Sequence, residues 1–137
     1  MRAFVLDASI TLGWTLDRPV PVRAALARRL ITAGAIPVVP TLWRHEVSNA
    51  VVMSERRGRL TAGQVRTLTA DLEEFSAGAE VEPLNAGISV LIETARRTNL
   101  TVYDAAYLEL AARRRLPLAT LDDKLREAAR QAGLELI

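Results

Sequence analysis

Ala3-Phe4-Val5-Leu6-Asp7-Ala8-Ser9 stands near the start of the chain: four apolar residues running into an acid, then into small and polar residues. So short an apolar run, without helical spacing, reads as a buried strand over Ala3–Leu6, with a short turn or helix from Ser9 to Leu16 behind it. The same hand-over recurs along the chain. Asp17-Arg18-Pro19 breaks the first unit. Pro21–Ala33 carries Val22, Leu26 and Leu30 on one face and Arg23, Arg28 and Arg29 elsewhere, and stops at Gly34, the pattern of an amphipathic helix. Ile36-Pro37-Val38-Val39-Pro40 reads as a second strand, with Thr41 as N-cap of a helix that reaches Arg57 and ends at Gly58. Thr61 and Gln64 form a capping-box pattern opening a helix through Phe75. Glu80–Leu84 is a third strand and Ala86–Thr98 a helix; Thr101 opens the helix carrying Tyr103 to Arg115. Leu116–Leu121 is a fourth strand, Asp122–Ala132 a helix closed by Gly133, and Leu134–Ile137 a last strand. Short strands alternating with helices predict an α/β sandwich with a mainly parallel sheet.

The 137 residues are the length of one domain, half of them hydrophobic and a quarter charged, which suits a single packed core over residues 1–137. The longest uncharged run, Leu30–Trp43, is 14 residues and holds Pro37 and Pro40, short of the roughly 20 apolar residues a membrane span needs. Asp7 falls where a signal peptide would keep its apolar stretch, so a cytoplasmic protein is expected. Without cysteine there is no thiolate nucleophile and no zinc–thiolate site. The pI of 9.7 accompanies a net charge of only +2, because 17 of the 18 basic residues are Arg. Clusters at Arg28-Arg29, Arg56-Arg57-Gly58-Arg59, Arg96-Arg97 and Arg113-Arg114-Arg115 hint at a polyanionic partner, although a GC-rich coding sequence also favours Arg.

Three acids fall where a strand hands over to a helix or where a helix begins: Asp7, Asp104 and Asp122. Sites in open α/β sheets form outside the carboxyl ends of the strands. Each acid also has a structural reading: Asp7 and Asp122 as N-caps, and Asp104 as the far half of a capping box with Thr101. Glu46 lies among Leu42, Trp43, Ala50 and Met53 at helical spacing, with Asn49 one turn along. A carboxylate so placed needs a cation or a hydrogen-bonding partner, or else snorkels at the margin of the apolar stripe. If the acids converge, they raise one another's pKa unless a cation intervenes. With His45 as the only histidine, an all-oxygen cluster suits Mg²⁺ or Mn²⁺ rather than Zn²⁺.

Leu6-Asp7-Ala8-Ser9, Glu46-Val47-Ser48-Asn49, Tyr103-Asp104-Ala105-Ala106-Tyr107-Leu108 and Thr120-Leu121-Asp122-Asp123-Lys124-Leu125 together resemble the PIN-domain ribonucleases, and more narrowly the VapC toxins of type II toxin–antitoxin modules. The resemblance runs from Phe4 to Leu136 with the acids in the family's order. It implies a PIN-like α/β/α sandwich and an acidic metal site of Asp7, Glu46, Asp104 and Asp122. Asp7 and Asp104 would be direct ligands, and Ser9, Asn49 and Thr120 polar supports. Asp122 fits the Thr-x-Asp-x-x-Leu spacing, with Asp123 as its competitor. The implied activity is Mg²⁺-dependent endonucleolytic hydrolysis of RNA by a metal-activated water. The implied partners are a cognate antitoxin, whose Arg or Lys would enter the acid cluster, and a second copy in a homodimer.

Two other readings use the same residues. One is a non-catalytic PIN-fold module that binds RNA or a partner, with structural acids. The other is a phosphatase with an N-terminal strand Asp, which would want a second Asp where Ser9 stands. Trp14 and Trp43 read as core, Tyr103 and Tyr107 as packing between helices or across a dimer, and Arg113–Arg115 as complements to a helix dipole. Arg18 and Arg44 are candidates for the RNA backbone. His45 lies about 100° around the helix from Glu46 and reads as an ordinary helix residue.

Overall fold

In the computed structural model, which describes residues 2–83 and 85–137, four strands form one parallel sheet: β1 (Ala3–Leu6), β2 (Ile36–Pro40), β3 (Glu80–Glu82) and β4 (Leu118–Ala119), in the order β3-β2-β1-β4. Seven helices flank it among the described residues: α1 (Ala8–Leu16), α2 (Val22–Thr32), α3 (Leu42–Arg56), α4 (Ala62–Gly78), α5 (Ile88–Thr98), α6 (Val102–Arg114) and α7 (Asp123–Gln131). Phe4, Val5 and Leu6 are fully buried, as an interior parallel strand requires. The chain leaves β1 towards β2 on one side and meets β4 on the other, so the carboxyl end of β1 is the point where strand order reverses.

Proline is unusual in an interior strand because it lacks an N–H. The Ile36 N–H bonds to Arg2 O on the β1 side at 2.9 Å. Successive N–H groups alternate sides, so Pro37 presents its missing donor towards β3, whose register begins only at Val38↔Glu80. Pro40 is the strand's last residue.

The mainly parallel sandwich is as the sequence predicts, with shifted ends. β4 is two residues long rather than Leu116–Leu121: Arg115 takes a left-handed φ of 53°, Leu116 N–H still bonds back to Ala111 O, and Thr120 turns towards Asp7. Leu134–Ile137 forms only a single bridge, Leu118↔Leu136, not a strand. The third strand stops at Glu82, and Leu84 lies outside the described residues. Thr61 and Gln64 make both halves of their capping box, and α4 runs past Phe75 to Gly78. Thr41 occupies the N-cap position of α3 with helical backbone angles and no side-chain cap bond, so it does not cap as its residue type suggests.

Candidate active site

Asp7 leaves β1 at the N-cap position of α1, but its side chain makes no cap bond. Ser9 Oγ donates to Asp7 Oδ2 at 2.5 Å and Thr120 Oγ1 donates to the same oxygen at 2.7 Å. Both hydroxyls are themselves held by backbone N–H groups, Ser9 Oγ by Leu121 at 2.9 Å and Thr120 Oγ1 by Asp122 at 3.1 Å. A carboxylate oxygen only accepts, so both hydroxyls direct their protons to Asp7, while their own oxygens stand 3.3 Å apart. A closed set of four bonds thus ties the end of β1 to the end of β4, and among the described residues Oδ1 receives no side-chain donor.

Asp7 lies in an open cleft of about 480 Å³ together with Ser9, Glu46, Asn49, Asp104 and Asp122. All four predicted acids line this one space; Asp123 and His45 do not. Asp122 also caps α7, accepting from Leu125 N at 2.8 Å, so its structural and site readings both hold. Thr101 accepts from Asp104 N at 3.2 Å, while Asp104 returns no bond to the Thr101 N–H. Only half of that predicted capping box forms, and the Asp104 carboxylate is left to the cleft.

Of the two sequence readings of Glu46, a partnered carboxylate or a snorkelling one, the structure has the first, on a stripe beside the buried one. The buried face of α3 is Trp43, Val47 and Val51, whereas Glu46 shares the neighbouring cleft-facing stripe with Asn49, Ala50, Met53 and Arg57. It does not snorkel outward. Tyr107 of α6, fully buried, donates its hydroxyl to Glu46 Oε1 at 2.6 Å. Within the chain the two tyrosines part company: Tyr107 is buried and Tyr103 is 66% exposed, so they do not pack together between helices.

Electrostatics agree with a crowded acidic site. Burial pushes the Asp7 carboxyl above its ordinary pKa and the Asp122 charge adds to this, while the Ser9 and Thr120 hydroxyls and the Ala8 N–H pull it down. Glu46 is raised by burial and by Asp7 and Asp104, against the Tyr107 bond; Asp104 is raised by burial, Asp7 and Asp122, against Thr101. Burial, the nearby Asp7 charge and the bond to Glu46 raise the Tyr107 phenol far above its usual range, so it stays a donor.

The donor set is all oxygen, which fits a hard divalent cation and not zinc. Among the described residues, however, no three acidic or histidine side chains stand close enough to form a ready-made metal cage. Mg²⁺ demands octahedral geometry but fills most of it with retained waters, so one or two carboxylates suffice to hold it.

The basic residues are sorted differently from expectation. Arg18 bonds to Asp17 O and Trp14 O, Arg44 bonds to Ser76, and neither lines the acid cleft. Arg113 pairs with Glu109 and Glu82, and Arg114 with Glu80 and Glu82, so these two brace α6 against β3 besides facing the helix dipole. Trp43 is core, its indole donating to Thr11 Oγ1 at 3.1 Å; Trp14 is half-buried, edge-on to Phe75.

The PIN domain family matches residues 4–131 of the chain. The chain belongs to the PIN domain family. This PIN domain is 37% identical over 129 residues to Ribonuclease VapC3 of Mycobacterium tuberculosis, a match covering 90% of this chain and 85% of that protein. Its fold is shared with PAE2754 from Pyrobaculum aerophilum, at a TM-score of 0.76 and 21% identity over 98% of this chain and 83% of that one. It is shared too with FitAcB from Neisseria gonorrhoeae, at 0.67 and 16% over 98% and 96%. VapBC2 from Rickettsia felis, bound to a DNA fragment from their promoter, gives 0.66 and 15% over 98% and 97%. Sequence reasoning on this PIN domain missed Arg57 in the cleft and Tyr107, buried behind Glu46. Tyr107 was hidden because an i, i+4 tyrosine pair looks like packing, and Arg57 was noted only as part of a basic cluster.

Proposed function

We propose that this PIN domain is a Mg²⁺-dependent endoribonuclease, the toxin of a type II toxin–antitoxin pair. The observation that carries the reading is the gathering of Asp7, Glu46, Asp104 and Asp122 along one cleft, with Asp7 held by two hydroxyls rather than used as a helix cap. The 37% identity to Ribonuclease VapC3 supports the substrate class. In this reading Asp7 and Asp104 would hold the divalent cation directly, and Glu46 and Asp122 would complete the charge. When bound, a cation of this kind lowers the pKa of a water and offsets charge developing on a phosphoryl group. Mn²⁺ would substitute for Mg²⁺. Ser9 and Thr120 hold Asp7 through Oδ2, so the carboxylate would meet the cation already oriented. Asn49 would orient water beside Glu46, and Arg57, at the end of the same stripe, would take a phosphate oxygen of the RNA.

The partners belong to the same proposal. Four carboxylates along one cleft attract a guanidinium or ammonium, so an antitoxin would silence the site by placing an Arg or Lys there. We also propose a homodimer and a cytoplasmic location; among the described residues no helix is long and apolar enough to cross a membrane.

The test is incubation of antitoxin-free protein with total cellular RNA in Mg²⁺ and in chelator, with Asp7→Asn and Asp104→Asn alongside. Discrete fragments from the wild type in Mg²⁺ alone, and at least a 100-fold slower reaction from either variant, are expected for loss of a directly ligating acid. Equal behaviour of all three proteins, each shown to be folded, would return the fold to a non-catalytic binding role.

A further inference from the structure

A buried tyrosine hydroxyl always needs a partner, and a backbone carbonyl commonly serves. Here the partner is an acid of the cleft. Tyr107 is fully buried on α6, three residues beyond Asp104, and its hydroxyl crosses to Glu46 on α3, 61 positions away in sequence. One helix therefore contributes one cleft carboxylate directly and fastens a second. Glu46 has no other side-chain donor among the described residues, so without the phenol its three side-chain torsions would be unrestrained and its carboxylate free to turn to solvent.

We propose that Tyr107 is a positioning residue for the cation site: by occupying Glu46 Oε1 it fixes the carboxylate plane and turns Oε2 into the cleft. The bond also links α3 to α6, the two helices that bring Glu46 and Asp104 to the cleft. The inference rests on the proposed divalent-cation reading of that cleft. Groups that hold a metal's ligands in place contribute roughly 10–100-fold to affinity.

The experiment measures Mn²⁺ binding, free of any RNA, by the electron paramagnetic resonance signal of the unbound ion. Wild type, Tyr107→Phe, Glu46→Gln and the double variant are compared. Tyr107→Phe keeps the ring that fills the core and removes only the oxygen. The expected result is a rise of about tenfold in the Mn²⁺ dissociation constant for Tyr107→Phe, with the double variant no weaker than Glu46→Gln, because a residue acting through Glu46 has nothing to add once Glu46 is altered. Wild-type affinity in Tyr107→Phe, or full additivity in the double variant, overturns the proposal while leaving the cation site standing. No Mn²⁺ binding by the wild type overturns both. A second measurement does not depend on how Tyr107→Phe folds. The chain has two tyrosines, so in a Tyr103→Phe background labelled with ¹³C at the tyrosine Cζ a single resonance reports Tyr107, free of the two tryptophans that absorb where tyrosine does. It shifts on addition of diamagnetic Mg²⁺ if Tyr107 holds Glu46 at the site, and an unmoved resonance overturns the proposal.

Discussion

Arg57 follows the last residue of α3 and lies along the same cleft as four carboxylates, yet among the described residues none of them is within ion-pairing distance of it. An exposed guanidinium left uncommitted beside an acidic site can accept a phosphate at little cost in broken contacts. Under the proposed function, Arg57→Ala weakens RNA binding about equally for all sequences and reduces the slope of log K against log salt by about 0.7–1. Fluorescence anisotropy of Asp7→Asn against Asp7→Asn/Arg57→Ala at two salt concentrations measures this, and an unchanged slope removes Arg57 from the RNA interface. Asp7 and Asp122 were readable from their places after strands and Asp104 from its place at a helix start, but their employment was not. An aspartate at an N-cap position looks the same in sequence whether it caps, as Asp122 does, or receives hydroxyl protons from residues 2 and 113 positions away, as Asp7 does. The first of those partners is close enough in sequence to suspect; the second exists only once two strands are adjacent.

Helix α1 shows how closely the elements around the site approach. A methyl group on Gly13 would stand 3.0 Å from Ala24 Cβ on α2 and 3.0 Å from Leu121 Cδ1, the residue after Thr120. Leu121 can swing away, but Ala24 Cβ is fixed to the backbone of a packed helix. Gly13→Ala gains about 1 kcal/mol of helix propensity and meets an overpacking cost of about 1–3 kcal/mol. We expect a net loss near 1 kcal/mol, read as a fall in the urea midpoint with unchanged slope; a rise in the midpoint would mean that α2 yields freely. On α3, the Trp43–Thr11 bond ties the helix to α1 just below Glu46. At this scale the order and type of elements were legible as far as α7, because apolar runs of four or five residues and capped amphipathic stretches reflect local chemistry. Element ends were not. β4 shrinks to two residues because the left-handed Arg115 and the demand for Thr120 at the cleft consume its flanks, and both are consequences of tertiary placement. Whether Glu46 belonged to the buried stripe or the one beside it depended on which side of α3 met α6, and periodicity does not record that.

For the whole molecule, a net charge of +2 conceals a cleft in which three carboxyls have raised pKa values. Their unfolded counterparts titrate near 3.9 for Asp and 4.3 for Glu. Between those values and the raised native ones, the native state binds more protons than the unfolded state, so these groups make stability fall as pH rises through that window. The deficit is complete once pH exceeds the native values. Asp7→Asn removes one buried charge and its repulsion of Glu46 and Asp104. The variant should melt a few degrees higher at neutral pH, at roughly 4 °C per kcal/mol for a chain of this size. It should also lose less stability between about pH 4 and neutrality. Calorimetry across that range checks both, and a lower melting temperature at neutral pH would show that the carboxylate is stabilising where it stands. The bond from Thr120 to Asp7 joins residues 113 apart, and the sheet sets Leu6 beside Ala119. A growing polypeptide therefore cannot assemble the cleft early: Asp7 has neither Thr120 nor Asp122 beside it until residue 122 has left the ribosome. Under the proposed function, order of synthesis is then itself a safeguard: a chain stopped short of residue 120 lacks the closed cleft, and an inhibitor has work only on chains that have passed it.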